Sequence, residues 1–278
     1  MWRGLLVACP HCNSDETGRR GRRTSLGYRT FARHACGSVF NERTGTGFND
    51  LQFPTDVVLL AVLSRLRYKL GFRDVAELLL ERGYEVTHET IRGWELRFAP
   101  LLADQLRSKR RGRTSRSWYI DETYVKVAGR WCYLYRAIDR DRELLDSMLS
   151  EHRDRGAARR FLRRLVEVTG GKPGRVTTDK HPSYRKAIRW IIGRKAEQRT
   201  RQYLNNYTEQ SHRGVKQRYY PMRGFGNLES ASRFCAAFEE MQQYFRVRRR
   251  GEPHVSLADQ RRLFLTRWRS LISEIVAA

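Results

Sequence analysis

The sequence predicts an α/β protein: a mixed sheet flanked by helices, preceded by an all-α segment and, before that, a small cysteine-bearing segment. Three observations predict it. Residues 1–45 lack apolar periodicity and hold three of the five cysteines. Residues 54–106 place apolar side chains at helical spacing. From Ser117 onward, β-branched and aromatic runs are separated by turn residues and then alternate with amphipathic helices.

The first segment, 1–45, opens on Cys9-Pro10-His11-Cys12 and closes on His34-Ala35-Cys36-Gly37. A Cys-x-x-Cys knuckle followed by a second ligand pair is how a small zinc ribbon holds a segment that has no core of its own. The candidate structural Zn²⁺ ligands are Cys9, Cys12, His34 and Cys36. The second pair is irregular, because Arg33 stands where a ribbon normally places a cysteine. A working zinc site and a decayed, weakly binding one are both open on this pattern.

Residues 46–106 read as a helix-turn-helix domain of three helices. Pro54-Thr55 starts the first, which carries Val58, Leu59, Val62 and Leu66 on one face. The second runs from about Phe72 to Arg82, with Val75, Leu78 and Leu79 inward and Gly83 as its stop. Thr87 caps a third, with Ile91, Trp94 and Phe98 on one side and His88, Glu89, Arg92 and Arg97 on the other. A helix, a glycine-bearing turn and a helix with a polar face suit insertion into the major groove, with Arg92 and Arg97 as DNA-binding candidates. An ordinary helical bundle has the same periodicity. Residues 107–116, with Arg107, Lys109, Arg110, Arg111, Arg113 and Arg116, read as a solvated basic linker.

Residues 117–250 predict three strands over 118–127, 131–138 and 144–149. A helix starting at Asp154, a strand over 175–178, a helix from near Pro182, a short strand and a last helix come after them. That order is the order of a ribonuclease-H-like mixed sheet, in which the first and fourth strands lie side by side. Asp121 lies in the first, Asp179 ends the fourth, and Glu209 comes after the Tyr203–Asn206 turn, so all three can converge on one edge. Side chains alternate across a strand, so Glu122 is expected to face away from Asp121. Three convergent carboxylates repel one another unless a cation intervenes. Oxygen ligands select hard cations, Mg²⁺ or Mn²⁺, and two such ions suit cleavage of a phosphodiester. Residues 227–250 predict one long amphipathic helix carrying Phe234, Phe238, Met241 and Phe245, and 251–278 a helical tail.

Charge narrows the partner. Lys and Arg total 55 against 30 Asp and Glu, a formal net charge of +25. An excess of that size calls for a polyanion, and nucleic acid is the obvious one, because each neutralised phosphate releases condensed counterions; a merely soluble basic surface is the bland alternative. No segment approaches the ~18 apolar residues of a membrane helix, and the short apolar run before Cys9 is expected to be neither a signal peptide nor a lipoprotein box. The expectation is a cytoplasmic, nucleoid-associated protein with no membrane partner.

Longer strings carry a resemblance. Asp121 to Asp139, reading DETYVKVAGRWCYLYRAID, closely resembles the first catalytic block of the DDE transposases of insertion sequence family six. Thr178-Asp179-Lys180 resembles their second block and Tyr203 to Gly214, YLNNYTEQSHRG, their third, with Lys216 and Pro221-Met-Arg-Gly-Phe225 beyond it. The likeness extends from about Gly47 to Arg246. It implies that Asp121, Asp179 and Glu209 form the catalytic, metal-binding triad. It further implies a transposase that binds transposon terminal inverted repeats, cleaves and transfers strands, and forms cointegrates as a homodimer or larger assembly. Lys216, Arg213, His212 and Lys180 are then candidate DNA contacts. Trp131 either stacks on DNA or packs as a core tryptophan across its hairpin. Two departures stand out. The stretch between Asp179 and Glu209 is shorter than is usual, and Ser211 stands where an acid is usual. The alternatives of another class are a catalytically inactive, transposase-derived DNA-binding protein or repressor, and a structure-selective nuclease on the same fold.

Overall fold

The structure is a computed structural model and describes residues 8–33, 36–109, 115–200, 214–220, 222, 224–247 and 255–277. The predicted positions Glu209, His34, His212 and Arg213 lie outside the described residues. The chain forms two compact units, one of residues up to 61 together with those from 265 onward, the other of residues 62–264.

In the first unit, β1 (Gly18–Arg23), β2 (Arg29–Ala32) and β3 (Val39–Asn41) form an antiparallel sheet in that order. So small a sheet buries little, and polar contacts hold the loop beyond β3. Arg43 is only 5% exposed, and its guanidinium donates to the carbonyls of Phe48, Leu51 and Phe53. One planar fork thereby satisfies the backbone acceptors of a loop that has no ladder of its own. The Tyr28 hydroxyl accepts from the Thr55 backbone N–H at 2.8 Å, where α1 (Thr55–Arg67) begins.

The second unit holds α2 (Phe72–Leu80) and α3 (His88–Ser108). Gly83, at φ +81°, turns the chain between them, and the Thr87 side chain accepts from the Thr90 N–H as the cap of α3. Ile91, Trp94 and Phe98 are buried along one side of α3, while Arg92 and Arg97 are exposed on the other. The helix runs through Pro100 to Ser108, so Arg107 is not part of a solvated linker. Its guanidinium lies 3.6 Å from Asp146 and 3.5 Å from Glu240, both buried, and that pairing holds the last turn of α3 in place.

The sheet is built from β4 (Ser117–Val127), β5 (Arg130–Asp139), β6 (Leu144–Ser150), β7 (Arg175–Thr178) and β8 (Glu197–Thr200), in the order β6-β5-β4-β7-β8. β4, β5 and β6 are an antiparallel meander, and β7 and β8 add to it in parallel. The parallel strands need crossovers, which α4 (Arg155–Thr169) and α5 (Pro182–Ile191) supply. Trp118, Ile120, Tyr135 and Ala137 meet Phe161, Leu162, Tyr184 and Ile188 of these helices in one buried cluster. Arg136, on the opposite face by alternation, pairs at 2.7 Å with Glu239 of the helix that covers that side. A short helix over residues 214–219 (α6) precedes this one, α7 (Leu228–Tyr244), and α8 (Leu257–Ala277) ends the chain. α7 stops at Tyr244 rather than running to Arg250; Phe245 leaves the helical geometry, and Arg246 reaches back to the Arg142 carbonyl. No helix among the described residues is long and apolar enough to cross a membrane.

The β4–β5 hairpin turns on Ala128 (φ +48°) and Gly129 (φ +78°), both left-handed, as a two-residue loop with the twist of its strands demands. Its end is tied to the stretch before α7: Phe225 donates to the Lys126 carbonyl at 3.2 Å, and Ala128 donates to the Phe225 carbonyl at 2.6 Å. Gly224 makes this approach possible. At φ +94°, a Cβ there would sit 3.0 Å from the Lys126 carbonyl oxygen. Gly224→Ala should therefore lower stability by about 1–3 kcal/mol, read as a drop in thermal midpoint. Gly226→Ala, where a Cβ meets open space, should shift the midpoint little; equal effects at both positions would refute the close-approach account.

Candidate active site

β4 and β7 pair in parallel at Ser117 with Arg175, Trp118 with Val176 and Tyr119 with Thr177. Continuing that register by two residues sets Asp121 beside Asp179, one within β4 and one just past the end of β7. The local sequence places Asp179 there for identifiable reasons. Val176, Thr177 and Thr178 suit a buried strand, and Pro182 opens α5 with His181 as its cap. The Asp179 carboxylate accepts the His181 N–H at 3.0 Å, which fixes the turn between strand and helix.

Asp121, Glu122 and Asp179 each offer a carboxylate oxygen within 4.8 Å of the others. Glu122 thus departs from the expectation that it stands apart. Backbone alternation holds, since Glu122 lies on the α5 side with the buried Tyr184 hydroxyl beside it. Its longer side chain nevertheless reaches the sheet's end, where Arg153 draws it in. Arg153, in the connection between β6 and α4, lies 3.2 Å from Glu122 and also contacts Asp179 directly. Sequence reasoning missed Arg153, which sits in a connection with no motif. The one available signal was Glu122 itself, an acid on the apolar side of a strand, which needs a cationic partner.

The electrostatics follow from burial. Burial pushes the Glu122 carboxyl above its ordinary range, with Tyr184 and Arg153 acting against that rise. Burial works against the charge of Arg153 too, but Glu122 and then Asp179 more than offset it and hold its pKa above the ordinary value. His181 is lowered, by burial first and by Arg153 second. The Arg153 guanidinium offsets the repulsion between Glu122 and Asp179. The chemistry of the cluster, hard oxygen donors half-buried at a sheet edge, fits a divalent cation of the Mg²⁺ or Mn²⁺ class.

Lys180, next to Asp179 in the chain, and Lys216 on α6 are exposed. Trp131 is 55% exposed, edge-on to Tyr124 with Lys126 over its ring, so it is not a core tryptophan. Its position explains this, because it stands two residues past Gly129, where the β4–β5 pairing runs on beyond the last β6 partner, at Tyr133 with Ser150. In the other unit, the sulfur atoms of Cys9 and Cys12 lie 3.8 and 3.6 Å from that of Cys36. Arg33, the residue that breaks the ribbon pattern, donates to the Cys12 sulfur at 2.6 Å. Hydrogen bonds from the Ser38 side chain and backbone hold the Cys36 thiol down to about 7.

Comparison with known proteins places this geometry in a family. A family described as a DDE domain matches residues 115–248, the span of the five-stranded sheet, the acid cluster and α7. A Staphylococcus aureus protein named transposase for insertion sequence-like element IS431mec is 42% identical over 177 residues, 62% of this chain and 77% of that one. A second from the same species, the transposase for insertion sequence element IS257 in transposon Tn4003, matches with the same identity and coverage. Among solved structures, the HTLV-2 integrase catalytic core domain in complex with magnesium aligns at 12% identity and a TM-score of 0.39, over 57% of this chain and 98% of that one. That likeness is too distant to add weight to the sequence relationship. With relatives at this identity over three-quarters of their length, the chain belongs to the DDE transposases of insertion sequence family six.

Proposed function

We propose that this transposase binds the terminal inverted repeats of its element, cleaves the strands there and transfers them to a target, fusing donor and target as a cointegrate. The observation that carries the reading is the register that sets Asp121, within β4, beside Asp179, just past the end of β7, with Glu122 completing a carboxylate cluster within 4.8 Å. Asp121, Asp179 and Glu209 are the proposed catalytic triad, with Glu209 taken from the resemblance of its surrounding string. These residues would hold Mg²⁺ or Mn²⁺, two ions per site. When bound, such ions activate the attacking oxygen and stabilise the leaving one.

The chain's own residues have separate tasks. The strand register holds Asp121 and Asp179 a fixed distance apart, and the His181 N–H orients the latter. Glu122 anchors Arg153, whose charge keeps the acids together before a cation arrives. Arg92 and Arg97 on α3, Lys180 next to Asp179 in the chain, Lys216 on α6, Trp131 at the hairpin, and His212 and Arg213, three and four residues after Glu209 in sequence, are the proposed DNA contacts. Double-stranded DNA, both element ends and target, is the partner, and cutting two ends together calls for a dimer or larger assembly. For the first segment we propose a structural Zn²⁺ held by Cys9, Cys12, Cys36 and His34; the gathered sulfurs support it.

In a two-plasmid assay with the element's native ends, Asp121→Asn and Asp179→Asn should each lower cointegrate frequency by more than about a thousandfold, with folding confirmed separately. Equal frequencies in mutant and wild type would sink the triad, and silence in all three would favour a DNA-binding protein without catalysis. Mn²⁺ should raise the thermal midpoint of the wild type, because a bound ion stabilises only the folded state. The same addition should leave Asp179→Asn unmoved; an equal rise in both would place the ion elsewhere. Metal analysis of purified protein should find about one zinc per chain, and a Cys9→Ser protein with undiminished zinc would show that the cysteine cluster does not hold it.

A further inference from the structure

The run Lys69-Leu-Gly-Phe-Arg-Asp74 starts α2 over a cavity of about 460 Å³ in the second unit. Its floor holds two arginines, Arg65 and Arg218, only 3% and 4% exposed. The guanidinium of Arg218 donates to the Arg65 carbonyl, and its Nε is buried with no hydrogen-bond partner among the described residues. Arg65 has its own arrangement: it lies over the rings of Phe72 and Phe234 at 4.6 and 5.0 Å, and 3.4 Å from Glu95. Glu95, 5% exposed, is the one buried carboxylate beside these two guanidiniums among the described residues. A buried cation beside another, with one carboxylate between them, is costly unless an anion completes the set. Burial, and then Arg65, hold the Arg218 pKa down to about 10.

The mouth is cationic as well. Lys69, Arg73 and Arg92 line the same cavity and are exposed. The carboxylate lining it is Asp74, and its Oδ2 accepts from the Gly71 N–H at 2.5 Å as the cap of α2. The nine-residue α2 directs its N-terminus at this space, where its dipole favours negative charge. We propose that this cavity seats a phosphate group, and that the phosphate belongs to the backbone of DNA lying across α2 and α3. The inference rests on the reading of this chain as DNA-binding and goes beyond it by assigning the contact. An open mouth ringed by three exposed cations suits a polyanion that passes over it, with one phosphate in the seat and neighbours on the rim. Such a contact fixes the position of α3 on the duplex without reading bases. Arg218 belongs to α6, which also carries Lys216, so the seat ties the helical region to the segment beyond the third acid.

The test uses the full chain, fluorescence anisotropy and two duplexes, one with the native inverted repeat and one scrambled, over a salt series. Lys69→Gln and Arg73→Gln change exposed residues and should fold. Each should weaken both duplexes by a similar factor and reduce the slope of log affinity against log salt by about 1. Wild-type binding with unchanged slopes in both variants overturns the phosphate seat and leaves DNA binding standing. Failure of the wild type to bind either duplex overturns the DNA-binding reading and this assignment with it. In a separate arm, inorganic phosphate is titrated against thermal stability of wild type and Arg218→Met. Stabilisation of the wild type only, with DNA slopes unchanged at Lys69 and Arg73, would mean that the site takes a free anion, and the backbone assignment would be lost.

Discussion

Three residue pairs of parallel ladder, from Ser117 with Arg175 to Tyr119 with Thr177, set the geometry on which the rest of this chain's chemistry depends. Parallel strands cannot be joined by a tight turn, so α4 has to cross over before β7 can return beside β4. The crossover helix buries Phe161, Leu162 and Leu165 against the sheet, and that burial holds the two strands in register. A slip of one residue would send Asp121 and its neighbours to opposite faces and scatter the acids. The register is therefore protected by the same apolar contacts that stabilise the fold, and the acid cluster needs no scaffold of its own.

A chain with a charge of +25 has few acids to spare, and the structure shows where several of them go. Asp146, Glu239 and Glu240 are at most 2% exposed, and each meets an arginine: Arg164 at 2.5 Å, Arg136 at 2.7 Å and Arg107 at 3.5 Å. These pairs join α3, β5, β6, α4 and α7 across the sheet's two faces. Removing one partner from such a pair is far worse than never having built it, because an uncompensated charge is left inside. The sheet edge obeys the same rule, with Arg153 between Glu122 and Asp179. The two groups of acids differ in one respect: Asp146, Glu239 and Glu240 are closed off, while Asp121 and Asp179 are only partly buried at the end of their strand pairing.

Much of the sheet was legible in the sequence. Alternation in Ser117–Val127, the Ala128-Gly129 turn and the Gly170-Gly171 break all mark elements that local rules determine, and the order of strands and helices comes from them. The place of Asp179 was legible because the end of β7 is set by turn residues a few positions away, and that of Asp121 because alternation marks β4. Glu122 and Arg153 were not, because their meeting depends on side-chain length and on where a connection without a motif passes in space. The extent of α3 was missed for a related reason. The string Arg107-Ser108-Lys109 reads as a solvated basic run, and only the buried Asp146 and Glu240, distant in sequence, turn Arg107 inward. Helix α7 stops short of its expected end because Arg246 finds an acceptor in the β5–β6 turn, another long-range partner.

The paired backbone bonds between Lys126, Ala128 and Phe225 have a further consequence. A two-stranded hairpin reaching beyond its sheet would ordinarily sway, and an aromatic ring at its tip would sample many positions. Here two backbone hydrogen bonds tie the tip to the stretch that leads into α7, so the strand end that carries Trp131, 55% exposed, is a braced arm. Its conformational entropy is given up when the chain folds. A surface that meets that indole later therefore orders only a side chain and not the strand that carries it.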